Sequence, residues 1–247
     1  MKKFSFLLIG SLFCIYSSAQ LGNLNKAIKK NSDALNKVKN GVSGNGASLS
    51  SDDIIAGLKE ALATGTSNTT KILNNPDGYF GNAAIKILMP EDAKKVEATL
   101  RKMGMSSIVD NAILSMNRAA EDAAGGVTEI FITAIKKMTV KDGLTILNGG
   151  DFAATNYLKQ TTTEELTNSM RPVINASLEK VNATNAWDKV FSTYNKVSLK
   201  KVETDLSAYV TTRALEGMFH TISLEEQKIR KDPAARTSEI LQKVFSK

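Results

Sequence analysis

This sequence predicts an all-α fold, a compact multi-helix bundle preceded by a flexible amphipathic N-terminal arm, and three observations carry that reading. After residue 50, apolar residues recur at spacings of three and four, the period of a helix with one buried face. Four segments open with an oxygen-bearing residue and a carboxylate three positions later: Ser50 with Asp53, Ser107 with Asp110, Thr139 with Asp142, and Thr162 with Glu165. Each pairing can satisfy orphan amide protons and set negative charge at the positive end of a helix. No run alternates apolar and polar residues as a half-buried strand does, and no internal repeat is visible.

The first nineteen residues read as a secretory signal peptide. Lys2 and Lys3 precede an apolar run from Phe4 to Tyr16, and Ser17-Ser18-Ala19 supplies small residues before a cut at Gln20. The run is shorter than the roughly 20 apolar residues of a membrane span. A lipoprotein leader would need its anchor at Cys14, where Phe13 stands in place of the small residue that such cleavage favours. The expectation is therefore a soluble periplasmic or secreted protein with no transmembrane helix.

Residues 20–49 form a basic arm and a Gly/Ser linker. Leu21, Leu24, Ile28, Leu35 and Val38 make an apolar stripe beside Lys26, Lys29, Lys30, Lys37 and Lys39, and Gly41, Gly44 and Gly46 mark the boundary of a single helical domain over 50–247. Such an arm could meet a partner or give weak membrane-surface contact. The formal charge of +7 belongs mostly to it and to the two leader lysines. What remains is too small and scattered for a nucleic-acid footprint, so no nucleic acid is expected as a partner. The only cysteine lies in the leader, so no disulfide is expected and packing supplies stability.

Within the domain, the first helix carries Ile54, Ile55, Leu58, Leu62, Ile72 and Leu73, with Gly65 as a point of close approach, and ends over Asn74 to Gly78. Ala84 to Met89 is the one plausible extended piece. Pro90 suits the first turn of a helix that runs through Val96 and Leu100 to a stop at Gly104. A long helical pattern from about Ser107 to Met138 is interrupted by Gly125 and Gly126, which predicts a kink or a tight crossing. A short helix follows from Val140 to Asn148.

Asp151 is expected to cap a helix through Tyr157, and Thr162 to open another that is kinked or restarted at Pro172. Trp187, Phe191 and Tyr194 give the next segment aromatic anchors. The final pair spans about Leu206 to Lys231 and Ala234 to Phe245. Met103, Met105, Met116, Met138, Met170 and Met218 mostly fall on apolar stripes and read as core filling, with a methionine-lined groove for an apolar ligand as the alternative.

Four blocks carry a resemblance: Asp77-Gly78-Tyr79; Asn117-Arg118-Ala119-Ala120-Glu121-Asp122-Ala123; Gly149-Gly150-Asp151 leading to Ala153-Ala154-Thr155-Asn156-Tyr157; and Ile229 to Thr237. Together they resemble a bacterial family of exported helical proteins, domain of unknown function four-one-nine-seven, over about Ser50 to Phe245. The resemblance implies an envelope location and an all-helical fold, and it brings no established activity. Gly125-Gly126 departs from the family's long helix, which puts the straightness of that helix in question.

The reactive inventory is thin. His220 is the only histidine, with Glu216 four positions before it, so no metal site of two histidines exists and no serine in a sharp strand-to-helix turn partners it. Arg118, Glu121 and Asp122 share a helix face with Asn111 and Ser115, where an arginine can grip a carboxylate or phosphate, or simply form an exposed ion pair. Asp142 and Asp151 read as caps, or as an acid and base pair if the fold brings them together. Asp77 and Tyr79 belong to a turn in which Tyr79 reads as a packing anchor with a wet hydroxyl; Tyr157 lies in the third block. No phosphate loop, cofactor motif or metal cluster is expected. These residues favour a non-enzymatic binding or interaction module for a partner protein or apolar ligand, with a carboxylate-based hydrolase of envelope polysaccharide as the alternative.

Overall fold

The first helix, α1 (Ser51–Asn74), starts where the sequence placed it. Ser50 accepts from the amide of Asp53, and Asp53 returns the bond to the amide of Ser50, so the capping box is complete. The computed structural model describes residues 50–184, 187, 191, 205–232, 234, 236 and 242. The leader, the arm, the linker over 41–48, Tyr194 and most of the expected last helix lie outside the described residues.

After α1 come a 3-10 turn (Glu91–Ala93), α2 (Lys94–Lys102), α3 (Ser106–Ala124), α4 (Thr128–Lys137), α5 (Val140–Asn148), α6 (Ala153–Lys180) and α7 (Leu206–Lys231). Among the described residues there is no strand, and no helix is long and apolar enough to cross a membrane. The second complete capping box is Thr139 with Asp142, which opens α5.

The other two boxes fail, for local reasons. Helix α3 begins at Ser106 without a side-chain cap, and Asp110 is drawn instead to Arg101 at 2.9 Å. Thr162 sits inside an uninterrupted α6, its hydroxyl donating to the carbonyl of Leu158 at 2.6 Å, so it opens no new helix. Pro172 likewise lies inside α6, which continues to Lys180 and is not restarted; the ring withholds one amide from the carbonyl four residues back.

Helix α6 is the spine. Its buried side chains Leu158, Thr162, Leu166, Met170, Ile174 and Leu178 repeat every four residues. Because a turn holds 3.6 residues, such a row winds about 40° per step around the helix. One helix thereby packs on α3, α4, α5 and α7 along its length. Each large side chain so buried contributes roughly 1.5–3 kcal/mol of transfer free energy. Phe131 of α4 meets Phe219 of α7 edge to face, with centroids 6.2 Å apart, and Trp187 packs on Phe191 at 4.3 Å. Met116, Met138, Met170 and Met218 fill the core as expected, whereas Met103 and Met105 are exposed.

The long pattern from Ser107 to Met138 is two helices, broken at the glycine pair. A side chain at Gly125 would sit 2.6 Å from the amide oxygen of Asn74, so the end of α1 closes on that point, while Gly126 faces open space. Gly65 also has nothing within 4 Å, against the expectation of a close approach there. Tight approaches occur instead at Gly143 of α5, where an added carbon would meet Ile55 of α1 at 2.2 Å, and at Gly217 of α7, where it would meet Tyr79 at 2.9 Å and Ile85 at 3.0 Å.

Candidate functional site

The segment between α1 and the 3-10 turn is held by polar side chains of α3. Ile85, Ile87 and Met89 point inward and Leu88 outward, the alternation of a strand without a sheet. Asn117, fully buried on α3, replaces the missing neighbour strand: its Oδ1 accepts from the amide of Ile87 at 2.9 Å, and its Nδ2 donates to the carbonyl of Ile87 at 2.8 Å.

One turn along the same helix, the Glu121 side chain is 3% exposed and takes the turn that precedes this segment. Its Oε1 accepts from the amides of Tyr79 and Phe80, both at 3.0 Å, and its Oε2 accepts from Arg118 Nη1 at 2.5 Å. Arg118 Nη2 reaches Asp77 Oδ1 at 2.7 Å. Asp77 adopts a left-handed backbone, φ 68°, which aspartate tolerates better than most residues. Two carboxylates around the guanidinium raise the pKa of Arg118, the hydrogen bond it donates to Glu121 contributing most and that to Asp77 next. Lys86 lies 3.6 Å from the centre of the Phe80 ring, and Arg118 flanks the same ring at 5.7 Å.

Tyr79 corrects the sequence reading. Its hydroxyl is dry: the residue is fully buried and donates to the carbonyl of Ala214 on α7 at 2.8 Å. Burial first, and the charge of Glu121 second, push the phenol far above its ordinary range. The structure thus joins Asp77, Tyr79, Arg118 and Glu121 in one cluster. The expected common face of α3 is divided, since Glu121 points in and Asp122 points out to receive a hydrogen bond from Ser177 of α6.

The remaining candidates stand apart. Asp142 is a cap, and the hydroxyl and amide of Thr139 hold its carboxyl below the usual range. Tyr157 is half-buried nearby, its pKa raised by burial and then by Asp142. Asp151 caps nothing: it pairs with Lys231 at 2.6 Å, and α6 begins at Ala153. Among the described residues no hydrogen bond or ion pair joins Asp142 to Asp151. His220 is exposed, and Glu216, four positions before it, is taken by Arg213 at 2.7 Å.

The cap of α6 comes from a residue the sequence did not single out. Glu226 of α7 accepts from the amides of Ala154 and Thr155 at 2.9 and 2.8 Å and from the Thr155 hydroxyl at 2.7 Å. Arg230 pairs with Glu226 at 2.9 Å and donates to the carbonyl of Ile146, near the end of α5, at 2.7 Å. The only hint in the sequence was that Arg230 falls in the fourth family-like block.

Hollows accompany these groups among the described residues. One is an open polar groove of about 470 Å³ beside Pro172, lined by Asn168, Arg171, Asn175, Asp205 and Ser207; another, about 20 Å³, lies between Leu58, Leu62 and Glu226. No group of three or more potential ligands for a metal occurs among the described residues.

No curated protein and no solved structure matches the chain. A family model described as a protein of unknown function does match, over residues 48–246, which include every helix described above and both buried glutamates. The chain belongs to this family, DUF4197.

Proposed function

We propose that the chain is an exported envelope protein that acts as a non-catalytic interaction module, meeting its partner or apolar ligand through its surface. The support for export is the leader-like pattern of Lys2, Lys3 and the Phe4 to Tyr16 run ahead of Ser17-Ser18-Ala19. The observation that carries the interaction reading is how the acids are used. Glu121 and Glu226 are spent on backbone amides and arginines, Asp142 on a cap, and Asp122 and Asp151 on single partners in different places.

A hydrolase would need two carboxyl groups facing each other across a cleft, one with a raised pKa. The apolar hollow beside Leu58 and Leu62 measures about 20 Å³, too small to enclose a ligand, which favours surface contact over enclosure there. The test is fractionation of cells with sequencing of the N-terminus, combined with photo-crosslinking from surface positions. A start at Gln20 and discrete adducts are expected. Retention in the cytoplasm, or release of sugars from envelope polysaccharide that is lost in Asp122→Asn or Asp142→Asn, would overturn the reading.

A further inference from the structure

In the hairpin of α2 and α3, α3 is packed into the bundle and α2 lies against its outer side. Helix α2 has no fully buried residue, and its main contacts are with α3 and the 3-10 turn. It ends in a glycine-closed turn: Gly104, φ 77°, donates to the carbonyl of Arg101, and Met105 donates to that of Leu100. The turn carries three exposed apolar side chains within six residues: Met103 at 63% exposure, Ile108 at 57% and Met105 at 39%. A bundle that buries Met89, Met116, Met138, Met170 and Met218 has no packing reason to leave this group in water.

Charge identifies what fits there. Arg101 is occupied by Glu97 and Asp110, both at 2.9 Å, and Lys94 by Glu91 at 2.6 Å. Lys95 and Lys102 are exposed and have no carboxylate partner among the described residues. Seven positions apart, they lie on one helix face. We propose that this hairpin is a membrane-surface contact, in which Met103 and Ile108 enter the apolar edge of an anionic bilayer while Lys95 and Lys102 face its phosphates. This names the partner of the interaction module proposed above and rests on that reading.

The test is flotation of the chain, purified as the cell processes it, with vesicles of phosphatidylglycerol and phosphatidylethanolamine or of phosphatidylcholine alone. Binding to the anionic vesicles and its weakening by salt are expected. The double variant Met103→Ser, Ile108→Ser should bind about tenfold less, as should Lys95→Glu, Lys102→Glu, with helix content and melting unchanged because all four side chains are exposed. Equal binding by both variants and the parent, or no binding by the parent, overturns the proposal. A protein adduct from position 108 without vesicle association overturns the lipid partner and leaves the interaction module standing; vesicle binding by a chain that is never exported does the reverse.

Discussion

Glu226 and Thr155, on different helices, are joined twice: the Thr155 amide and its hydroxyl both donate to Glu226 Oε2. The start of α6 is thus capped by α7, and Arg230 extends the same group to the end of α5. Replacing Glu226 by Gln removes the anion that balances Arg230 and leaves buried donors poorly served. Denaturation in urea should show a loss of about 2–4 kcal/mol, with Glu226→Ala at the upper end.

Two glycines should respond in opposite directions to alanine. Gly65 lies within α1 with open space around it, so Gly65→Ala should stabilise by about 0.5–1 kcal/mol. Gly217 faces Tyr79 and Ile85 at contact distance, so Gly217→Ala should destabilise by roughly 1–3 kcal/mol despite the better helix former. Thermal unfolding of the pair checks the close approach of α7 to the buried turn.

The raised pKa of Tyr79 makes stability fall at alkaline pH. The folded chain keeps the phenol protonated while the unfolded chain loses the proton near the ordinary value of 10.0. This contribution is therefore whole below pH 10.0 and declines as pH rises beyond it. Tyr79→Phe should cost about 1 kcal/mol at neutral pH, because the hydrogen bond to Ala214 is lost, and should flatten the alkaline limb of the stability curve.

Asp142 has the opposite sign. Its carboxyl is held low by Thr139, so its support for α5 is present above the ordinary value of 3.8 and is lost as pH falls through the lower folded value. Thr139→Ala should return the carboxyl toward 3.8 and fray the first turn of α5. Carboxyl chemical shifts followed through an acid titration would show both effects. An unchanged Asp142 titration in the variant would contradict the capping box.

What could be read from the sequence was local. The stretches Val140 to Asn148 and Leu206 to Lys231 coincide with α5 and α7, because caps, stops and apolar period all lie within a few residues of one another. What escaped was the polar side chain serving a distant backbone. Thr162-Glu165 has the spacing of a cap, yet the buried row on α6 overrides it; Asp151 is near a helix start, yet Glu226, 71 residues beyond Thr155, does the work. The family-like blocks contained Asp77, Tyr79, Arg118 and Glu121 without indicating that they touch. Only the crossing of α3 behind the Asp77 turn brings them together.

Helix α6, against which four others close, is encoded after five of the seven helices described. A nascent chain that has produced α1 to α5 holds their apolar faces but only part of the surface that covers them, and α7 follows later still. Contacts so distant along the chain bring little reward until the last third has been synthesised. Closure of the bundle should consequently await α7, and truncation before Leu206 should leave an unclosed, adhesive intermediate instead of a smaller bundle.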